Sequence, residues 1–194
     1  MNLTIEESNF LRFYFLNLKI ASQAVKVYFD SVHPPAGLAT ELANSEAKLK
    51  GLRFITHLQL QILYPSNASN VTSDNFDTTL LICLLRNLPP RQSAPATGWD
   101  NLPHPGDTSI GADLARVKWY RNKLVHSNDG ILSSTDVIQY WGDLEGMKKI
   151  FCVLIVLLSE DNSWLWLWII IRIPKLKKGD MFLCGESARN NTIF

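Results

Sequence analysis

The segment from Arg121 to His126 combines the two side chains of this sequence that are best suited to chemistry. A guanidinium binds anions, and an imidazole changes charge near neutral pH and can therefore move a proton. The arginine also falls on the apolar side of a predicted helix, where an unpaired charge is costly. We therefore expect a partner for Arg121, either a bound ligand or another group of the protein.

On an ideal α-helix, the side chains of Arg121 and His126 project in different directions. At about 100° per residue, His126 lies about 140° from Arg121, while the apolar side chains of the segment fall within roughly 60° of the arginine. These are Leu114, Val117, Leu124 and Val125. The two groups can meet if the arginine curls, if the helix unwinds at the stop signal from Ser127 to Gly130, or if a second copy brings its own pair.

The same helix is unusually cationic. It carries Arg116, Lys118, Arg121 and Lys123 against one acid, Asp113. The net charge of the whole chain is only +1, so any attraction to a nucleic acid or a membrane must be local.

The composition is that of a globular protein. Apolar residues make up 46% and charged residues 19% of the 194 residues, which allows a sizeable core. The three cysteines (Cys83, Cys152 and Cys184) are far apart and odd in number, which excludes a disulfide framework and a cysteine-rich zinc site. We expect no cofactor and no metal. The start of the chain lacks the cationic region of a secretory signal, so an intracellular, cytoplasmic location is expected.

Apolar spacing and cap residues predict an all-α domain, because strand signals are weak throughout. Five helical segments are predicted, at residues 4–32, 45–64, 74–88, 111–127 and 133–146. The connection at 89–109 is rich in proline and is expected to be held on the bundle by Trp99 and Leu102.

The character of the chain changes after residue 146. Residues 147–194 form a hydrophobic and basic tail with two apolar runs, each shorter than a membrane span requires. We interpret the tail as a core extension followed by a poorly specified end. The alternative is membrane contact by residues 150–178, with tryptophans at the interface and lysines near the headgroups.

Several stretches in order resemble one known family. They lie at residues 63–65, 76–81, 84–88, 97–103, 107–122 and 140–146. Together they make residues 1–146 similar to the HEPN (higher eukaryotes and prokaryotes nucleotide-binding) domain of DAZ-interacting zinc-finger-protein-like proteins. The resemblance implies a dimerising bundle of four to five helices.

Many HEPN domains are metal-independent endoribonucleases with an arginine, a following polar residue and a histidine. The resemblance therefore implies Arg121, Asn122 and His126 as catalytic residues. It implies RNA contacts by Arg116, Lys118 and Lys123, and a dimer interface formed by Trp119, Asn122 and His126.

Two interpretations of the function stay open. In the first, the chain is a dimerising, RNA-linked regulatory module that cleaves RNA. In the second, it is a catalytically inactive protein-interaction front end of a ubiquitin-ligase-like or defence-signalling protein. The sequence has no P-loop motif and too few cysteines for a RING, so neither NTPase nor ligase activity is expected of it. For Arg121, an ion pair with Asp77, Asp113 or Glu145 remains an alternative to ligand binding.

Overall fold

A computed structural model describes residues 3–145 and residue 147. Within this part the chain forms α-helices and short helical turns and no strand, which confirms the predicted all-α class. The helices are α1 (Ile5–Phe15), α2 (Ser22–Val32), α3 (Pro35–Asn44), α4 (Glu46–Lys50), α5 (His57–Leu63), α6 (Thr78–Asn87), α7 (Ile110–Val125) and α8 (Ser134–Glu145).

Helices α1 and α2 follow each other through a π-helical turn at Leu16–Ala21 and occupy the range predicted for one long helix. The capping box at the start is present. The Thr4 hydroxyl accepts from the Glu7 amide at 3.2 Å, and the Glu7 carboxylate accepts from the Thr4 amide at 2.7 Å. The helix ends before Pro34, as the proline rule requires.

The segment between α2 and α6 differs from the prediction. Residues 45–64 were expected to form one helix, but the chain leaves the helix at Gly51 and starts again at His57. Thr56 caps the new helix by a reciprocal pair of bonds with Gln59. Helix α3 was not predicted at all, although Pro35 stands at its first position, where proline favours a helix start.

Helix α6 forms the centre of the core. Six consecutive residues, Leu80–Leu85, are buried, so this helix is covered on all sides. It packs against α2 and α7, while α1 packs against α8 and α7 packs against α8 and the π-helical turn. The site-bearing helix α7 is therefore supported by the most deeply buried helix of the bundle.

The proline-rich connection at 89–109 is packed against the start of α7. A Cβ atom at Gly111 would lie 2.0 Å from the carbonyl oxygen of Ser93, so only glycine allows this approach. Trp99 and Leu102 are partly buried against the core, which confirms their predicted role. The connection is thus an ordered layer over α7.

Residues 148–194 lie outside the described part, and with them Cys152, Cys184 and the predicted membrane contact at 150–178. Met147 is buried. Among the residues described, none of the helices combines the length and apolar character needed to cross a bilayer.

The close contact between Gly111 and Ser93 predicts that alanine destabilises the protein at Gly111 but not at a glycine with open space around it. Gly111→Ala should lower the free energy of unfolding by about 1–3 kcal/mol, because the new methyl group meets backbone atoms that cannot move aside alone. Urea denaturation followed by circular dichroism measures the change.

Gly142→Ala is the matched control. Gly142 lies in α8 with open space around its Cβ position, so alanine there should stabilise the protein by about 0.5–1 kcal/mol. Equal effects of the two substitutions would contradict the close approach at Gly111.

Candidate functional site

Both ends of α7 are capped, the first by a side chain and the second by backbone hydrogen bonds. At the start, the Ser109 hydroxyl accepts from the Ala112 amide at 3.2 Å. At the end, the His126 amide donates to the Asn122 carbonyl at 3.1 Å. The predicted helix stop is present, and Gly130 adopts a positive φ of 65° there. His126 therefore lies at the helix terminus with an exposed side chain.

The buried face of α7 is not the one centred on Arg121. The residues that face the core include Asp113, Val117, Tyr120 and Leu124, whereas Arg121 is partly exposed and Val125 is 49% exposed. The prediction of Arg121 in the middle of the buried stripe is wrong.

Arg116 is the enclosed arginine. Its side chain is 1% exposed, and it forms an ion pair with Asp113 at 3.2 Å. It also donates to the carbonyl oxygens of His104 at 2.6 Å and Asp107 at 2.7 Å. The guanidinium therefore ties the connection at 89–109 to α7, which corrects its assignment to an RNA-contacting surface.

Lys118 is also bound to this connection. Its ammonium donates to Asp100 at 2.5 Å, and its side chain is 19% exposed. The contact with Lys118 holds the pKa of the Asp100 carboxyl below its usual value. The structure thus places Lys118 away from the free end of α7, beside the proline-rich layer.

Arg121 and Asn122 are joined to each other. The Arg121 guanidinium donates to the Asn122 side-chain oxygen at 3.3 Å, and within the described part of the chain it forms no ion pair with Asp77 or Asp113. The side chain of Glu145, the third acid considered as a partner, lies outside the described part. No hydrogen bond joins Arg121 to His126 among these residues. One copy of the chain therefore brings the arginine and the asparagine together but not the arginine and the histidine.

Lys123 packs over aromatic rings at the end of α7. Its ammonium lies 4.6 Å from the ring centre of Tyr140 and 5.2 Å from that of Trp119. Trp119, predicted at a dimer interface, is partly buried and stacks edge-on against Tyr120 within its own chain. The aromatic cluster therefore fixes the position of the lysine charge.

A cavity of about 350 Å³ opens beside this cluster, and both Lys123 and His126 line it. Tyr120 and Tyr140 form part of its wall, with their ring centres 4.9 Å apart. Burial and a hydrogen bond to Asp143 raise the pKa of Tyr120, so its hydroxyl stays protonated. The inner wall is therefore aromatic and neutral.

The rim of the cavity also carries acids that the sequence analysis did not select, Asp129 and Asp136. The Ser127 hydroxyl and the amide of Ile131 lower the pKa of Asp129, which keeps it anionic. In the sequence, Asp129 stands out only as part of the predicted helix stop, and nothing there marked it as a site residue. The cavity combines a lysine, a histidine and carboxylates, so one copy does not present a uniformly positive surface to RNA.

No group of three or more metal-binding side chains occurs in residues 3–145 or at residue 147. The chemistry that the site can support is proton transfer by His126 and anion binding by Arg121 and Lys123.

An all-α bundle in which an arginine, an asparagine and a terminal histidine lie on one helix is the arrangement expected of a HEPN domain. The profile of DZIP3/hRUL138-like HEPN domains matches residues 35–150, more than half of the chain. The chain therefore belongs to the DZIP3/hRUL138-like HEPN family.

Two curated relatives show how much of a larger protein this domain represents. The chain is 33% identical over 109 residues to the mouse E3 ubiquitin-protein ligase DZIP3 and 32% identical over 109 residues to the human protein of the same name. In both cases the match covers 52% of this chain and 9% of the relative. No solved structure matches the chain.

The two arginines of α7 should differ sharply in their contribution to stability. Arg116→Met keeps much of the side-chain bulk but removes the ion pair between Arg116 and Asp113 and both bonds from the guanidinium to carbonyl oxygens, so it should lower the free energy of unfolding by about 3–5 kcal/mol. Chemical denaturation monitored by circular dichroism tests this expectation.

Arg121→Met is the control, since this side chain is partly exposed and should change stability by less than about 1 kcal/mol. A larger loss with Arg121→Met than with Arg116→Met would show that the structural arginine has been misassigned.

Proposed function

We propose that the chain is a HEPN-type interaction module that pairs with a second copy of itself through the end of α7. The observation that carries this proposal is the exposed apolar side chain of Val125, which lies between Arg121 and His126 on the helix surface. An apolar residue among polar groups suits the centre of an interface with a polar rim. A two-fold axis near Val125 brings the arginine of one copy toward the histidine of the other.

Charge supports the same pairing. Arg121 forms no ion pair with any side chain that the structure describes, and Asp129 is exposed and anionic beside His126. In an isologous dimer each copy offers both groups, so two Arg121–Asp129 contacts form across the axis when no phosphate is bound.

Substitution at Val125 tests the interface. Val125→Asp should weaken self-association by about tenfold or more, because a carboxylate would be desolvated at the centre of the contact. Its fold should be unchanged, since the side chain is already half exposed. Sedimentation equilibrium measures the dissociation constant.

Leu58→Asp provides a matched control, because Leu58 is 70% exposed on α5 and lies outside the proposed interface. A wild-type chain that is monomeric at every concentration tested, or equal weakening by both substitutions, would overturn the proposed dimer.

We propose metal-independent RNA cleavage as a second function of the paired α7 ends. The observation in its favour is the exposed His126, which shares its cavity with Lys123. His126 takes the proton from a ribose 2′-hydroxyl or gives a proton to the leaving 5′-oxygen. The 2′-oxygen attacks the phosphorus and forms a 2′,3′-cyclic phosphate as the bond to the 5′-oxygen breaks, and the second proton transfer is made by the His126 of the other copy or by water. Arg121 binds the phosphate and stabilises its developing charge, and Asn122 orients the phosphate or the imidazole. Lys123 attracts the RNA backbone through contacts that salt weakens.

Cleavage of single-stranded RNA in the presence of EDTA tests the nuclease proposal. His126→Ala should reduce the rate by about 100-fold or more, the usual contribution of a positioned acid–base group. His57→Ala, at an exposed histidine that starts α5, should leave the rate unchanged. Intact RNA after incubation with wild-type protein across salt concentrations would reject cleavage and leave the dimerising module.

The relatives suggest where such a module acts. Both are named as E3 ubiquitin-protein ligases, and the matching segment is a small part of each. We propose that this domain supplies self-association or partner binding to a larger, ligase-like or defence-signalling protein inside the cell. The ligase chemistry itself is not assigned to these residues.

A further inference from the structure

A second surface lies away from the end of α7 and is built around Arg86, near the end of α6. The guanidinium of Arg86 lies 4.9 Å from the ring centre of Trp99 and 5.9 Å from that of Phe54. Phe54 is 56% exposed. Two rings that contact one guanidinium restrict its plane and leave its N–H edge available for a ligand.

Two further cations complete this surface. Lys48 donates to the carbonyl oxygen of Asn87, directly after Arg86, at 2.7 Å. The Gln92 amide donates to the Leu85 carbonyl at 2.8 Å, which places Arg91 beside the end of α6. Desolvation and the charge of Arg91 both lower the pKa of Lys48. We call Lys48, Phe54, Arg86, Arg91 and Trp99 the cation–aromatic patch.

The fold pairs the cations of this patch only weakly. The side chains of Arg86 and Arg91 form no hydrogen bond and no ion pair within the described part of the chain, and the ammonium of Lys48 donates to a backbone carbonyl. The nearby acid Asp100 is already bound by Lys118 at 2.5 Å. The charge of Arg86 also helps to lower the pKa of Asp100, so one counter-charge is near the patch. The three cations of the patch exceed this one acid, and such an excess of positive charge favours the binding of an anion.

The patch is held in place by several elements. Lys48 belongs to α4, Phe54 to the turn before α5 and Arg86 to α6, while Arg91 and Trp99 belong to the proline-rich layer. That layer is fixed by the bonds from Arg116 to two of its carbonyl oxygens. The charged groups are therefore positioned before a ligand arrives, which reduces the entropy cost of binding.

We propose that the cation–aromatic patch binds an acidic peptide segment of a partner protein that also carries an apolar side chain. A guanidinium stacked on rings presents two parallel donors to a carboxylate, and Lys48 and Arg91 accept further negative charge. The exposed face of Phe54 supplies the apolar contact. A small group of cations around one exposed ring suits separate carboxylates better than a nucleic acid strand, which requires a groove that follows successive phosphates.

Fluorescence anisotropy with the full chain tests this proposal. The probe is a fluorescein-labelled peptide of alternating glutamate and leucine, compared with a peptide in which lysine replaces glutamate and with a labelled oligouridylate. Arg86→Gln should weaken binding of the glutamate peptide by about tenfold, the effect expected from loss of one charge-assisted pair of bonds. Arg86→Lys should recover part of this loss, since it restores the charge without the planar fork.

Arg12→Gln is the matched control, because Arg12 is exposed on α1 outside the patch, and it should leave affinity unchanged. If Arg86→Gln alters the circular dichroism spectrum, Arg91→Gln replaces it, because Arg91 has no bond to lose within the described residues. Equal affinity of wild-type and patch variants overturns the proposal. Preferential binding of oligouridylate that depends on Arg86 also overturns it and assigns the patch to nucleic acid.

Discussion

The buried guanidinium of Arg116 is the interaction on which the arrangement of both surfaces depends. It is buried inside the protein, where it has almost no contact with solvent. Three bonds hold it there: the ion pair with Asp113 on its own helix and two hydrogen bonds to backbone carbonyl oxygens. A charged donor bonded in this way contributes about 1.5–3 kcal/mol per bond, and removing it takes the guanidinium away from the buried Asp113 carboxylate. The proline-rich connection has no regular helix of its own, so side-chain contacts must hold it on the bundle. The bonds of Arg116 act together with the contact between Lys118 and Asp100, the packing of Trp99 and Leu102, and the close approach at Gly111.

The four cations of α7 show why charge content is a poor guide to function. Arg116 is enclosed, Lys118 is bound to Asp100, and Lys123 packs over aromatic rings. Of these four, only Arg121 has neither an acid nor an aromatic ring against its charged group within the described residues, and it donates to Asn122 alone. A helix that looks uniformly basic in sequence thus presents one uncommitted cation at the end where His126 lies.

The two proposed surfaces belong to different parts of the domain. The proposed dimer interface is formed by the last turn of α7. The cation–aromatic patch is formed by α4, the turn before α5, α6 and the proline-rich layer. Membership of the DZIP3/hRUL138-like HEPN family accounts for the all-helical fold. The matching segment is 9% of each relative, and the two proposed surfaces are separate, so the proposed self-association and the proposed partner binding do not compete for the same residues.

Local signals in the sequence determined the all-α class, the start of α1 at its capping box, the extent of α7 and the helix stop that exposes His126. They act over one or two turns, where hydrogen-bond geometry depends only on neighbouring residues. Tertiary packing decided which face of α7 is buried, because small residues such as Gly111 and Ala115 allowed the helix to turn its Arg116 side inward. Packing also supplied the partners of Arg116 and brought Arg86 against Phe54 and Trp99. These contacts join segments that are far apart in the sequence, so the spacing of residues along one helix cannot predict them.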